Sequence, residues 1–210
     1  MSGPIPQSLS EAGLYEEDLD PDPIKQFELW FAEVQAAGIP EPTAMILATA
    51  DREGRPSGRT VLLKSVDRRG FLFYTNYQSR KGRDLAENPR AALVFNWPQL
   101  RRQVCIEGTV TKVPREESEA YFKTRPRGHQ LGAWASRQSS VVSSREELER
   151  RLAELEREYQ GKEIPLPPYW GGYLVAPDRI EFWQGRSNRM HDRLLYRRRG
   201  EGWVVERLSP

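Results

Sequence analysis

The sequence predicts an α+β chain whose mainly antiparallel sheet is closed, or nearly closed, into a barrel with helices packed around it. Short β-rich runs follow one another from residue 44 to residue 113, separated by the turn-forming stretches "DREGRP", "DRRG" and "NPR". A second β group begins after "PLPP". So many short strands in an open sheet would leave unpaired edges, which closure removes. At 210 residues one sizeable core is the natural size, and no interior linker divides the chain. The expected organisation is a loose polar arm over residues 1–20 and one domain over 21–210.

In chain order, "DPDPIKQFELWFAEVQAAGIPEP" opens with Asp22 as cap and Pro23 in the first helical position. It carries Ile24, Phe27, Trp30, Phe31 and Val34 on one face and stops at Gly38, which makes one amphipathic helix. The runs "AMILATA", "RTVLLKSV", "GFLFYTN", "AALVFNW" and "RRQVCIEGTVTKV" are the expected strands, with a short helix at "SRKGRDLAEN" between the third and fourth. "REESEAYFKTR" is a further helix, followed by "PRGHQ" as a loop and a short segment "LGAWASRQSS". "SSREELERRLAELEREYQ" starts with a capping box, Ser144 and Glu147, and aligns Leu148, Leu152, Leu155 and Tyr159 on one face. The last strands are "GGYLVAP", "DRIEFWQG", "DRLLYRRR" and "WVVERL".

The totals exclude several functions. With 32 Lys and Arg against 30 Asp and Glu, the formal charge is only +2, so the broad basic field of a nucleic-acid binder is missing. One cysteine, Cys105, and two histidines provide neither an internal disulfide nor a set of zinc ligands, and no metal site is expected. The N-terminus has no signal-peptide pattern and the apolar run at 44–50 is too short to span a bilayer, so the expected location is the cytoplasm. There is no dinucleotide or phosphate-binding glycine loop and no nucleophile elbow. Anion recognition therefore has to rest on side-chain cations.

Such cations occur at strand ends and at a helix start. On a regular strand Arg59 and Lys64 point to opposite faces, roughly 16 Å apart at about 3.3 Å per residue. Thr75, Arg80 and Lys81 follow a strand and lead into a helix, where hydroxyls, cations and free N–H groups converge; a basic surface turn explains the same residues. Tyr121 and Arg125 lie one helical turn apart and together suit a phosphate, or make an ordinary surface contact. "RQSS" at 137–140 adds an amide and hydroxyls. Alternation along "RIEFWQG" sends Ile180, Phe182 and Gln184 one way and Glu181 and Trp183 the other, which leaves Trp183 as core or as a flank for a flat ligand. In "NRMHDR", Arg189, His191 and Arg193 share one side if the chain is extended, and the imidazole suits hydrogen bonding or proton handling.

Together, "DPDPIKQFELWF", "RTVLLK", "FYTNYQSRKG", "RRQV", "YFKTRPR", "GAWASRQSS", "EFWQG", "NRMHDR" and "WVVERLSP" closely resemble the pyridoxamine 5′-phosphate oxidase family, in family order from about residue 20 to the end. The resemblance implies an FMN-binding split β-barrel working as a homodimer with FMN at the subunit interface. Carried onto this chain, it implies cofactor contacts from Arg59, Thr60, Val61, Leu62, Leu63, Lys64, Tyr74, Thr75, Arg80, Lys81, Gln103, Gln138, Ser139, Trp183 and Arg193. It implies substrate contacts from Lys64, Tyr121 and Arg125 at a phosphate, with Arg189, Met190 and His191 over the ring and Arg189 and His191 as catalytic residues. His129 stands where many members have a phosphate-binding Ser, and the arm "IPQSLSEAGLYEEDL" is acidic where many carry an Arg-Arg-Glu-Tyr-like segment. Both departures bear on substrate affinity and range.

The implied activity is oxidation of pyridoxamine and pyridoxine 5′-phosphates to pyridoxal 5′-phosphate by O2, giving H2O2, and ammonia from the amine, in vitamin B6 biosynthesis or salvage. The rivals are a split-barrel flavin oxidoreductase acting on another ring, such as a phenazine, and a non-catalytic carrier of flavin or pyridoxal phosphate. A nucleic-acid module built on "RRRG" fits poorly with the near-neutral charge.

Overall fold

The computed structural model describes residues 13–210. Residues 1–12, most of the expected arm, lie outside the described residues. Helix α1 is Pro23–Ala36, with the Asp22 carboxylate accepting from the Ile24 N–H (2.9 Å) and Gly38 in the left-handed region beyond its end (φ 67°). Strands β1 (Ala44–Ala50), β2 (Pro56–Leu62), β3 (Ser65–Asp67) and β4 (Gly70–Asn76) follow, then helix α2 (Arg80–Glu87) and strands β5 (Arg90–Trp97) and β6 (Arg102–Lys112). Helices α3 (Arg115–Thr124), α4 (Arg127–Ala135) and α5 (Arg145–Glu158) precede β7 (Trp170–Gln184), β8 (Asp192–Arg199) and β9 (Gly202–Arg207).

All strand pairings are antiparallel, in the order β2-β1-β5-β6-β7-β4-β3. The two ends of that order are consecutive in sequence. At the bend between them Leu63 donates its N–H to Thr43 (2.8 Å) and Lys64 to Leu72 (2.8 Å), so one bent segment pairs with β1 on one side and β4 on the other. Main-chain hydrogen bonds thus bring the sheet edges together, as the abundance of strands predicts. The long β7 pairs with β4 through its first half and with β8 through its second, which splits the barrel wall.

Three sequence expectations change here. The run "RTVLLKSV" is two strands rather than one, so the opposite-face geometry of a regular strand does not apply to Arg59 and Lys64. The two runs flanking Pro177 are a single 15-residue strand. Pro177 is tolerated because the register with β6 shifts between Glu107 and Gly108, where a bulge relieves the ladder of one N–H. The expected loop "PRGHQ" is instead the start of α4, with Pro126 immediately before its first turn.

The interior belongs to α1 and the sheet. Phe27 packs edge-on to Phe71 (4.9 Å between centroids), Trp30 edge-on to Phe182 (5.1 Å), and Phe27, Phe71, Phe73 and Phe95 are fully buried. Each such side chain contributes about 1.5–3 kcal/mol through burial. A second apolar cluster, Phe122, Leu131, Leu155, Ile164, Leu166 and Trp170, fixes α3, α4 and α5 to the start of β7. On α5 the capping box is displaced by one residue: Ser144 accepts from the Glu147 N–H, while the Glu147 carboxylate binds Ser143. Only Leu155 of its predicted apolar face is buried. Residues 13–20, placed by the sequence in the arm, dock on the C-terminal strands: Leu14 is buried, Arg207 pairs with Glu16, and Tyr196 donates to the Asp20 carbonyl (2.7 Å).

Candidate functional site

The Ser79 hydroxyl caps α2, accepting from the Gly82 N–H, and so sets Lys81 in the first helical turn facing the end of β4. The buried Lys81 ammonium donates to Thr75 Oγ1 (3.3 Å), Ser79 Oγ (3.4 Å) and Gln138 Oε1 (3.1 Å), and it makes no ion pair among the described residues. Burial, reinforced by the charge of Arg59 and opposed by Asp84, pushes its pKa down to about 8. Arg59 on β2 donates to the Leu47 carbonyl (3.0 Å), Thr49 Oγ1 (2.8 Å) and Ser57 Oγ (2.6 Å) and lies 3.7 Å from the Asp84 carboxylate. Its pKa is lowered, first by burial, and Arg80 adds a like charge. Arg59, Thr75, Arg80, Lys81 and Gln138, all named by the sequence, therefore meet at one cradle. A buried ammonium satisfied only by neutral oxygens beside the Arg59 guanidinium is a fit for a phosphate dianion.

A second cation stands close by. Tyr74 (β4), Trp170 (β7) and Tyr121 (α3) form a near-parallel stack, with centroid separations of 4.0 Å for Tyr74–Tyr121 and 5.3 Å for Tyr74–Trp170. A side chain at Gly172, opposite Tyr74 in the ladder, would meet that ring at 2.9 Å, so glycine keeps the stack flat. Arg125 is the residue that ends α3, not part of its last turn, yet its guanidinium reaches back over Trp170 at 4.6 Å. Its Nη1 is buried without a hydrogen-bond partner among the described residues, and burial lowers its pKa while Tyr121 opposes the shift. An orphaned guanidinium N–H beside a phenol also fits an oxyanion. Arg125 and the exposed His129 line a cavity of about 370 Å³ together with Thr75 and Gln138 of the cradle, so the two anion pockets share a wall.

The remaining expected residues divide. Val61 packs on the core and Leu63 is buried, which leaves their backbone alone for any ligand; Thr60, Leu62 and Lys64 are exposed. Ser139 occupies a turn with φ 70°. Gln103, Trp183 and Arg193 form one cross-strand row over β6, β7 and β8. Arg193 is held by both oxygens of Glu181 (2.7 and 3.0 Å) and His191 packs on Trp183 (4.7 Å). The segment 187–190 is not extended: Asn188 (φ 54°) and Arg189 (φ 62°) are left-handed, and Arg189 and Met190 are exposed to solvent. His191 Nδ1 accepts from the Arg186 N–H (3.1 Å), which places the proton of a neutral ring on Nε2. Among the described residues no hydrogen bond, ion pair or ring contact joins this row and turn to the cradle or to Arg125.

Sequence reading missed Thr49, Asp84 and Trp170. Asp84 stands three residues after Lys81, a helical spacing that puts both on one side of α2 and is its only local signal. Thr49 and Trp170 come to the site through strand pairing, which leaves no local signal.

An antiparallel split barrel carrying two cationic pockets with a common wall defines a protein that handles phosphorylated or otherwise anionic flat ligands. Residues 31–158 match the model of the pyridoxamine 5′-phosphate oxidase family, and residues 170–210 match the pyridoxine 5′-phosphate oxidase C-terminal dimerisation region. A pyridoxine/pyridoxamine 5′-phosphate oxidase of Rubrobacter xylanophilus is 64% identical over 96% of this chain and 93% of its own length. One from a Cyanothece species is 56% identical over 97% and 93%. Among solved structures, PhzG from Burkholderia lata in complex with tetrahydrophenazine-1-carboxylic acid superposes with a TM-score of 0.90 at 34% identity, covering 96% of this chain and 100% of that one. An FMN-binding protein of Nostoc punctiforme shares the fold, with a TM-score of 0.70 at 18% identity over 92% and 99%. The chain belongs to the pyridoxamine 5′-phosphate oxidase family.

Proposed function

We propose that this chain is an FMN-dependent oxidase that converts pyridoxamine and pyridoxine 5′-phosphates to pyridoxal 5′-phosphate, with O2 as acceptor and H2O2 as product. The observation that carries the reading is a pair of cations that make no ion pair among the described residues, the buried Lys81 and the half-buried Arg125 with its buried Nη1, on either side of one cavity wall. The Lys81 cradle takes the FMN phosphate and Arg125, with Tyr121 and Lys64, the substrate phosphate. Planar guanidinium forks orient both anions. FMN, when bound, supplies the two-electron acceptor that oxygen reoxidises.

The chain's own contribution is to hold two flat partners in one orientation, a positioning effect that can supply several kcal/mol of barrier lowering. His191 offers an Nε2–H as donor to the substrate ring, and Arg189, exposed on a turn whose two left-handed residues each cost about 1–2 kcal/mol, is assigned to the same ring. We assign the completed site to a homodimer, in which one subunit gives the phosphate cradle and its partner the row Gln103, Trp183 and Arg193. The match to a dimerisation region supports this, as do Ile46 and Leu62, which stand 44% and 41% exposed on β1 and β2. The cytoplasm remains the proposed location; no described helix is long and apolar enough to cross a membrane.

The likeness to PhzG favours one other reading, oxidation of a phenazine-type acid. Replacing Arg189 by Ala tests the first: the variant should stay yellow with FMN but lose turnover of pyridoxamine 5′-phosphate, and undiminished turnover would refute the placement of the ring.

A further inference from the structure

The cradle contains a group that an anion site has no evident use for, the buried carboxylate of Asp84. Its Oδ2 accepts from the Thr49 hydroxyl at 2.6 Å. A hydroxyl has one hydrogen, and because a carboxylate can only accept, that hydrogen is committed to Asp84. Thr49 Oγ1 is then fixed as an acceptor, and Arg59 Nη1 donates to it at 2.8 Å. Arg59 Nη2 lies 3.7 Å from the same Asp84 oxygen. Lys81, by contrast, spends its hydrogen bonds on Thr75, Ser79 and Gln138 and is outside ion-pair contact with the acid. Asp84 thus sits behind Arg59, where an arriving phosphate need not touch it.

We propose that Asp84 is a positioning residue for the cofactor phosphate: through the Thr49 hydroxyl it fixes Arg59 in the cradle wall, and it supplies the counter-charge that lets two like charges share a buried site. The inference rests on the assignment of the FMN phosphate to this cradle. The charged groups that face Lys81 and Arg59 are Arg80 and Asp84 from α2, besides each other; Thr75, Ser79 and Gln138 are neutral. Burial and Arg59 lower the proton affinity of Lys81 and Asp84 raises it. Loss of the acid therefore makes the ammonium give up its proton at lower pH, and phosphate binding weakens earlier in an alkaline titration.

The test uses flavin-stripped protein titrated with FMN and with riboflavin, read by flavin fluorescence between about pH 7 and about pH 9.5, where the phosphate is a dianion. Wild type should prefer FMN and lose that preference as pH rises past about 8. In Asp84→Asn the loss should begin roughly one pH unit lower. Thr49→Val, which breaks the relay without changing charge, should weaken FMN about tenfold at every pH with the wild-type midpoint, and Thr49→Ser should restore it. An Asp84→Asn profile superimposable on wild type, whatever its melting temperature, together with unchanged affinity in Thr49→Val, overturns the inference alone. Equal binding of FMN and riboflavin by wild type overturns the cradle assignment with it. If Asp84→Asn does not fold, the two Thr49 variants decide.

Discussion

The two anion pockets hold a desolvated cation in different ways. At the cradle, the charge of Lys81 is spread over three neutral oxygens, and Arg59 is tied to Leu47, Thr49 and Ser57. At the other pocket Arg125 lies over the Trp170 ring with one N–H unclaimed. The first arrangement is rigid before any ligand arrives, which suits a cofactor that stays. The second leaves a hydrogen bond for the ligand alone to complete, which suits a substrate that comes and goes. Both cost stability, because a desolvated charge that makes no ion pair is unfavourable.

The largest expected effect separates the pockets. Arg125→Met should cut kcat/KM for pyridoxamine 5′-phosphate by about 2–4 kcal/mol, roughly 30- to 1000-fold, since a desolvated charge-assisted contact is lost. Flavin content, read from the absorption spectrum, should not change; loss of flavin instead would merge the two pockets into one. Next is Lys81→Met, expected to weaken FMN, measured by equilibrium titration, by about 2 kcal/mol while raising the melting temperature of the apoprotein. A lower melting temperature would mean that the ammonium is not held at a cost. Trp170→Leu should raise KM severalfold by removing a cation–π support of about 0.5–2 kcal/mol, and it should leave FMN affinity alone.

A further effect is in pH dependence. In the apoprotein Lys81 titrates near 8, below its ordinary 10.5, so between these values the unfolded chain holds the proton that the folded chain has released. Apoprotein stability should therefore rise across that window as far as this group contributes. Bound phosphate keeps the proton on Lys81, and the rise should vanish in the FMN-loaded protein when both are followed by chemical denaturation.

What was legible in the sequence follows the same physical division. Helix α1 and strand β1 carry their own signals, a cap and a period, and match the expected bounds closely. The β2–β3 break does not, because the β-rich composition runs unbroken through "RTVLLKSV" and the bend is made by main-chain bonds to Thr43 and Leu72. Arg59, Lys81 and Arg125 were visible as cations without a glycine loop to serve. Thr49 and Trp170 were not, since their roles depend on which strand lies beside which, and Asp84 showed only its helical spacing from Lys81. The left-handed turn at Asn188 and Arg189 falsified an extended reading of "NRMHDR" that no residue type there forbids.

Oxygen uptake by the FMN-loaded protein, measured with pyridoxamine 5′-phosphate and with unphosphorylated pyridoxamine, tests the two-pocket claim most directly. Turnover confined to the phosphate ester, with kcat/KM for the free amine lower by about two orders of magnitude or more, is the result expected from Arg125 and its open N–H. Equal turnover of the two would contradict it.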